Sequence, residues 1–527
     1  MKTKQLFKSH LFSLAALFSM ALAAVSCANE DIVQNGKGGD NGKGFATFVA
    51  DAPAQTRTSI DYATGNFYWE EGDKIYVKDD DGTIQVSNAV DAAHAHSASF
   101  KFKVPGKFEN SATYKVYYLG KNGGGNQVTI PTAQTQTKPN ATDHLGDSGD
   151  YGTATATGTL GGSIFSFQLE HQPAYLVFQP YTSNAVLKNC YLTKIEVNSD
   201  DDIAETYTID PSTGNLNSSA GSKQIVLTTK DPAAGSTNEK GFSFTNATSI
   251  STADKVYMLI KPGAHTLKVR YWVKDYDTNV EGTITKILPS FNYDKNTYYD
   301  MTANLNVKNY DGDKYYMWDA QEQYWKGHEW DHGGSQPTLS QGLTGATTSS
   351  DYPKSNADSR YYNEYFPGYG VSNPATHTPC KDLPNVNEMT WYAAKGDPRW
   401  DADELWTTMG HLYKGGMWFK KKANISGFNP NTAYDGTDWR TNGKENIWAV
   451  SQTLPSTADA NNYFYLPALG SYRIGFLYKV GLNGYYWSSS ANPQNSTLAY
   501  YLGFESGYAY VGNLHYRRYG YRVGGFE

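Results

Sequence analysis

Residues 45–61 read FATFVADAPAQTRTSID, and residues 67–86 continue FYWEEGDKIYVKDDDGTIQV. The first six residues form an apolar run of strand length. The segment DKIYVKDDDGTIQV predicts a hairpin, with Asp79 to Gly82 supplying the turn, because residues of alternating character flank an Asp/Gly cluster. Between these strands lies a small-residue, Pro-containing stretch with one arginine, Arg57. Lysine is plentiful nearby, yet the next arginine in the chain is Arg270. The same period-two alternation recurs in SFKFKV (99–104), TYKVYY (113–118), FSFQLEH (165–171), KVYMLIKPG (255–263) and LKVRYWVKD (267–275), with turn residues between them. No amphipathic helix of three turns interrupts this region. Many short strands with turn signals predict sandwiches or barrels, two in series. Glycine and small residues at 155–163 (TATGTLGGS) mark the expected boundary between them.

Outward from this region, the amino terminus reads as an export signal. MKTKQLFK is basic, and LFSLAALFSMALAAV (11–25) has the length of a signal-peptide core and is too short to span a bilayer comfortably. It ends in AVSC (24–27), which resembles a bacterial lipoprotein processing site. That resemblance implies cleavage between Ser26 and Cys27 and acylation of Cys27, palmitate-type chains anchoring the precursor in the outer membrane. The following ANEDIVQNGKGGDNGKG (28–44) has the composition of a flexible tether. Its early acidic residues resemble the surface-export signal of Bacteroidetes lipoproteins.

At 527 residues, several domains are expected. The net charge of −7 is spread thinly and no basic patch occurs, which argues against nucleic acid as a partner. Cys27, Cys190 and Cys380 cannot make a disulfide framework, and the expectation is unpaired thiols with at least one buried.

Near NVKNYDGDKYYMWDA (306–320) tryptophan becomes frequent and most of the arginines appear. NEMTWYAAKG (387–396) and DADELWTTMG (401–410) are short helical candidates, with Asn387 and Asp401 as N-caps and Gly396 and Gly410 as terminators. The tail is strand-like and tyrosine-rich. A third domain of mixed α and β type is expected.

No convincing catalytic set assembles. HEWDH (328–332) satisfies H-E-x-x-H, in which His328 and His332 would ligate zinc and Glu329 would act as base. Glycines on both sides leave no room for the long helix this chemistry needs, so a polar loop is expected and a zinc protease is only a distant alternative. The acidic VKDDDGT and NYDGDK lack the EF-hand spacing. Ser488 to Ser490 lack a G-x-S-x-G frame. Neither a metal nor another cofactor is expected.

Two resemblances follow. The strand, the T-R-T segment and W-x-x-G-D-x-I, with VTIPTAQTQT (128–137) and FSFQLEHQPAYLVF (165–178), resemble the fimbrillin family of Bacteroidetes, the FimA- and Mfa-like pilins. The likeness covers about residues 27–307. It implies two β-sandwich (transthyretin-like) domains, lipoprotein export, cleavage after Arg57 to leave Thr58 as the new amino terminus, and completion of the fold by a donor strand from another fimbrillin subunit. CKDLPNVNEMTWYAAKG (380–396), YFYLPALGSYR (463–473), GYYWSSSANPQNSTLAYYLGFESGYAYVGN (484–513) and YRRYGYRVGGFE (516–527) resemble the Fibrobacter succinogenes major paralogous domain, related to C-type lectin-like folds. The calcium-lectin E-P-N and W-N-D elements are absent, so calcium-dependent sugar binding is not expected.

The resulting expectation is a mostly β chain. Its parts are a signal peptide (1–26), a tether (27–44), two fimbrillin β-domains (45–162 and 163–308) and an α+β C-type lectin-like domain (309–527). The expected role is a non-enzymatic pilus-tip subunit at the cell surface, an adhesin whose ligand, a host or microbial glycan or protein, the sequence does not name. A non-polymerising surface lipoprotein is the alternative.

Overall fold

A computed structural model describes residues 44–50, 59–61, 66–210, 212–332, 349–362, 374–377 and 379–527. The chain is mostly β, as its alternating segments require.

The first sheet runs in the order Ile84–Val86, Ile75–Lys78, Thr113–Tyr118, Gly152–Gly158, Ile164–Phe167, Phe45–Ala50, Phe100–Pro105. It curls until its ends meet. Asn88 N–H donates to the Lys103 carbonyl at 3.1 Å, and Asp80 N–H to that of Lys107 at 3.0 Å. The inward-facing positions of these strands, among them Phe48, Val77, Phe102, Val116 and Phe165, form one apolar cluster with Trp69. The Ile75–Lys78/Ile84–Val86 hairpin has the expected turn. Gly82 sits at φ 83°, and the Asp79 carboxylate accepts from Thr83 N–H at 2.8 Å.

The TATGTLGGS segment forms the tight hairpin between Gly152–Gly158 and Ile164–Phe167, so the boundary drawn at 162/163 falls inside this hairpin. Gly161 at φ 73° makes the reversal. Sequence and space also cross over elsewhere. Gln127–Ile130 pairs with Glu205–Ile209, and Ala133–Thr135 pairs with Gln224–Thr228. Around these the second core is built against Ala174–Tyr181, whose first seven residues are buried on both faces.

The long strands Gly263–Asp275 and Val280–Tyr293 continue through one parallel pair, Thr283↔Glu404, into Arg399–Thr408, then His411–Lys420 and Tyr463–Pro467. This corrects the expected helix at 401–410. The segment is a strand, so Asp401 caps no helix: its carboxylate accepts from the Asp403 and Glu404 N–H groups at 3.0 and 3.2 Å, from Arg270 at 3.2 Å and from the Trp418 indole at 3.1 Å. The other helical expectation holds at its end, but the N-cap is Asn385 rather than Asn387. The helix spans Val386–Lys395, Asn385 and Glu388 form its capping box, and Gly396 ends it. Asn387 is buried and binds Asn431, Asp438 and Trp439.

The last sheet has the order Tyr315–Tyr316, Tyr521–Arg522, Gly484–Ala491, Leu498–Glu505, Tyr508–Tyr516, Asn446–Ala449. The helix packs on this sheet, and the two together give the expected α+β content.

Candidate functional site

The arrangement that most constrains function is the seat of Phe45–Ala50. The strand is wedged inside the first sheet. It pairs antiparallel with Phe100–Pro105 over six positions and parallel with Ile164–Phe167 over four. Alternation decides which side chains turn inward. Ala46, Phe48 and Ala50 are buried, whereas Phe45 is 68% exposed. Phe48 stacks on Phe165 at 5.2 Å and meets the edge of Phe108 at 5.2 Å and of Tyr114 at 6.4 Å. The strand is thus a plug with one aromatic knob between two small residues. Without it, two strand edges and an apolar slot floored by Phe102, Phe108, Tyr114 and Phe165 would face solvent.

The chain leaves this strand at Ala50 and re-enters the described structure at Ser59–Asp61, which pairs with Asn66–Tyr68. Arg57 and Thr58 lie between, outside the described residues, as do Ser26 and Cys27. Arg270, the next arginine, is described. It lies mid-sheet in a thirteen-residue strand and is 7% exposed. Its guanidinium donates to Thr283 Oγ1 at 2.9 Å and to Asp401. A protease needs an accessible, unpaired segment, and Arg270 is buried in a strand paired on both sides.

The C-terminal segment YGYRVGGFE (519–527) is built into its own unit. Tyr521–Arg522 lies between Tyr315–Tyr316 and Gly484–Ala491. Tyr521 stacks on Trp487 at 4.2 Å, and Phe526 packs against Tyr392, Phe464 and Tyr486. The Glu527 carbonyl accepts from Lys422 N–H at 3.0 Å and from the Tyr392 hydroxyl at 3.1 Å.

The serines of YWSSS are structural. The Ser488 carbonyl accepts from the Trp318 indole at 2.8 Å, and Ser490 Oγ accepts the first helical N–H, that of Val386, at 3.0 Å. HEWDH lies in turns, not on a helix. His328 faces Asp351 at 3.8 Å, His332 bonds Asp331 at 2.7 Å, and Glu329 accepts from Gln323 at 3.0 Å, so the three groups point to different partners. Among the described residues no three His, Cys, Asp or Glu side chains are grouped to hold a metal. Cys190 and Cys380 are both free and buried, and burial pushes each thiol up to about 12.

One feature escaped the sequence reading, the junction between the long strands and the C-terminal unit. Glu404 accepts from Thr285 Oγ1 at 2.6 Å and from Thr285 N–H at 3.1 Å, beside the Arg270–Asp401 pair. Burial, with the neighbouring Asp401 charge, pushes the Glu404 carboxyl up to about 7. No motif announces this cluster, because its members come from strands more than a hundred residues apart.

No protein-family model and no curated protein matches the chain. Solved structures with a similar course include a candidate cell adhesion protein of Bacteroides ovatus (14% identity, 50% of this chain and 94% of that one, TM-score 0.31). The fimbrial anchor protein Mfa2 of Porphyromonas gingivalis gives 15% identity over 46% of this chain and 82% of that one, with a TM-score of 0.23. The C-terminally truncated tip fimbrial protein Mfa3 of the same organism gives 12% over 49% and 94%, with a TM-score of 0.24.

Proposed function

We propose that the chain is a cell-surface fimbrial subunit and adhesin rather than an enzyme. In this reading its signal peptide is removed before Cys27, and Cys27 is acylated in the outer membrane. Cleavage between Arg57 and Thr58 then frees the plug strand, and a strand from a neighbouring subunit replaces it. The C-terminal α+β unit, lectin-like by its motifs, faces outward at the fimbrial tip.

The seat of Phe45–Ala50 carries the reading. The strand is bonded on both edges, apolar on one face, and joined to the rest of its sheet only through the stretch that contains Arg57. About ten main-chain hydrogen bonds at roughly 0.5–1.5 kcal/mol net each make an empty slot unfavourable by about 5–15 kcal/mol before side chains count. An alternating strand of the same polarity, with small residues where Ala46 and Ala50 sit and a large apolar one at Phe48, would recover that stabilisation by strand addition. Repetition of such a head-to-tail contact builds an open filament.

Limited digestion with an arginine-specific protease should cut first after Arg57, leaving Thr58 at the new amino terminus. Arg57→Ala should leave the fold intact and keep the protein out of fimbriae. Incorporation of that variant at wild-type levels would sink the proposal and leave a non-polymerising surface lipoprotein as the better reading.

A further inference from the structure

A cleft of about 180 Å³ opens on the C-terminal unit. Met317 and Tyr324, both buried, form its floor, and Tyr352, Tyr361 and Tyr519 stand around it half-buried. The floor is rigid, since Tyr324 stacks on Tyr472 at 5.3 Å and 17°.

Lys354 and Arg518 line the same cleft and are exposed. Their contacts among the described residues are with aromatic faces: Lys354 Nζ lies 5.2 Å from the Tyr352 ring and the Arg518 guanidinium 4.7 Å from that of Tyr516. The nearby Asp358 does not neutralise them, because Arg360 already holds it at 2.7–3.1 Å. Among the described residues no carboxylate lines the cleft. Two cations without an ion pair among the described residues, on a chain of net charge −7, are therefore gathered at one concave, tyrosine-walled site.

The rim adds a strained element. Ile474 sits at φ 50°, a conformation a β-branched residue adopts only under constraint, and it is 55% exposed. It forms the tip of the hairpin between Ser471–Arg473 and Phe476–Tyr478. That tip is pinned. Gly475 N–H donates to the Tyr324 hydroxyl at 3.2 Å, and the Gly475 carbonyl accepts from Ser349 N–H at 3.0 Å. A Cβ at Gly475 would come within 2.2 Å of the Ser349 carbonyl, so only glycine permits this approach. The fold thus holds an apolar side chain at the mouth of a cationic, aromatic cleft.

We propose that this cleft binds a single acidic pyranose, a sugar ring carrying a carboxylate or a sulfate. The apolar C–H face of such a ring lies on a tyrosine, and its anion meets Arg518 and Lys354. The cleft is smaller than the roughly 300–1,000 Å³ of pockets that enclose drug-sized ligands, which favours one ring over an oligosaccharide. The inference deepens the adhesin reading but does not depend on cleavage or filament assembly.

The test is calorimetric and saturation-transfer titration of the intact protein with N-acetylneuraminate, glucuronate and galactose 6-sulfate, against neutral galactose and N-acetylglucosamine. Acidic sugars should bind at least about tenfold more tightly than neutral ones, as loss of a charge-assisted contact implies. The carboxylated and sulfated arms identify which anion the site takes. Lys354→Ala and Arg518→Ala, both at exposed positions that leave the core untouched, should each weaken binding about tenfold, and a chelator should change nothing. Three results would overturn the proposal: no binding of any acidic sugar, equal binding of neutral sugars, or equal binding of an acidic peptide. Failure of the Arg57→Ala experiment would remove the fimbrial reading and leave this one standing.

Discussion

At the scale of single residues, burial decides what the reactive groups can do. Cys190 and Cys380 are enclosed, with their thiols pushed up to about 12, so neither reacts as a thiolate in the folded protein. If Cys27 carries acyl chains, a thiol titration of the folded protein should read zero, and unfolding should release two thiols; release of a third would show Cys27 free. Glu404 gives a pH dependence with a definite sign. Its folded pKa, raised to about 7 by burial and by Asp401, exceeds the ordinary carboxyl value of 4.5, so the folded state holds the proton more tightly. The contribution is full below the unfolded value and is lost as pH rises through the folded one. Thermal stability should therefore decline between about pH 4.5 and 7, and Glu404→Gln should flatten that part of the profile. An unchanged slope in the variant would assign the decline to other groups.

At the scale of elements, the plug strand makes a local prediction. After cleavage at Arg57 and removal of the amino-terminal fragment, hydrogen exchange should accelerate in Phe100–Pro105 and Ile164–Phe167, its two partners. Thr113–Tyr118, which keeps both of its neighbours, should stay protected. Loss of protection throughout the sheet would mean that the strand is structural rather than exchangeable. The same elements show what the sequence could and could not reveal. Ile75–Lys78/Ile84–Val86 was legible because alternation, an Asp-rich turn and a positive-φ glycine coincide within twelve residues. Arg399–Thr408 was not. Ala, Glu and Leu favour a helix locally, but the segment is held extended by His411–Lys420 across a turn in which Met409 and Gly410 take φ 49° and 74°. The excursion of Gln127–Thr135 to the second core was equally hidden, since its partners arrive some eighty residues later and leave no local period to read. The acidic-sugar cleft joins residues from 317 to 519, none of which stands out alone.

At the scale of the whole molecule, the question is whether the protein donates a strand as well as accepting one. The segment 519–527 is a poor donor. Tyr521–Arg522 is bonded between two strands, and withdrawal of Phe526 would open the contact with Tyr392, Phe464 and Tyr486. Nor is the C-terminal unit separable. Arg399–Thr408 continues the sheet of Val280–Tyr293, and Leu405 and Leu412 belong to the second core, so deletion of residues 313–527 would expose both an edge and apolar surface. A truncated chain is therefore a weak instrument for testing tip placement. On the proposed reading, a subunit that accepts a strand and gives none would end the filament. Immunogold labelling of the intact protein should accordingly mark one site per fimbria, at the end distant from the cell. Arg518→Ala should leave that labelling unchanged while weakening capture of acidic sugars. Gold spaced along the shaft would show that another segment serves as donor and that the chain polymerises, and the tip placement would then have to be given up even if the plug strand exchanges as expected.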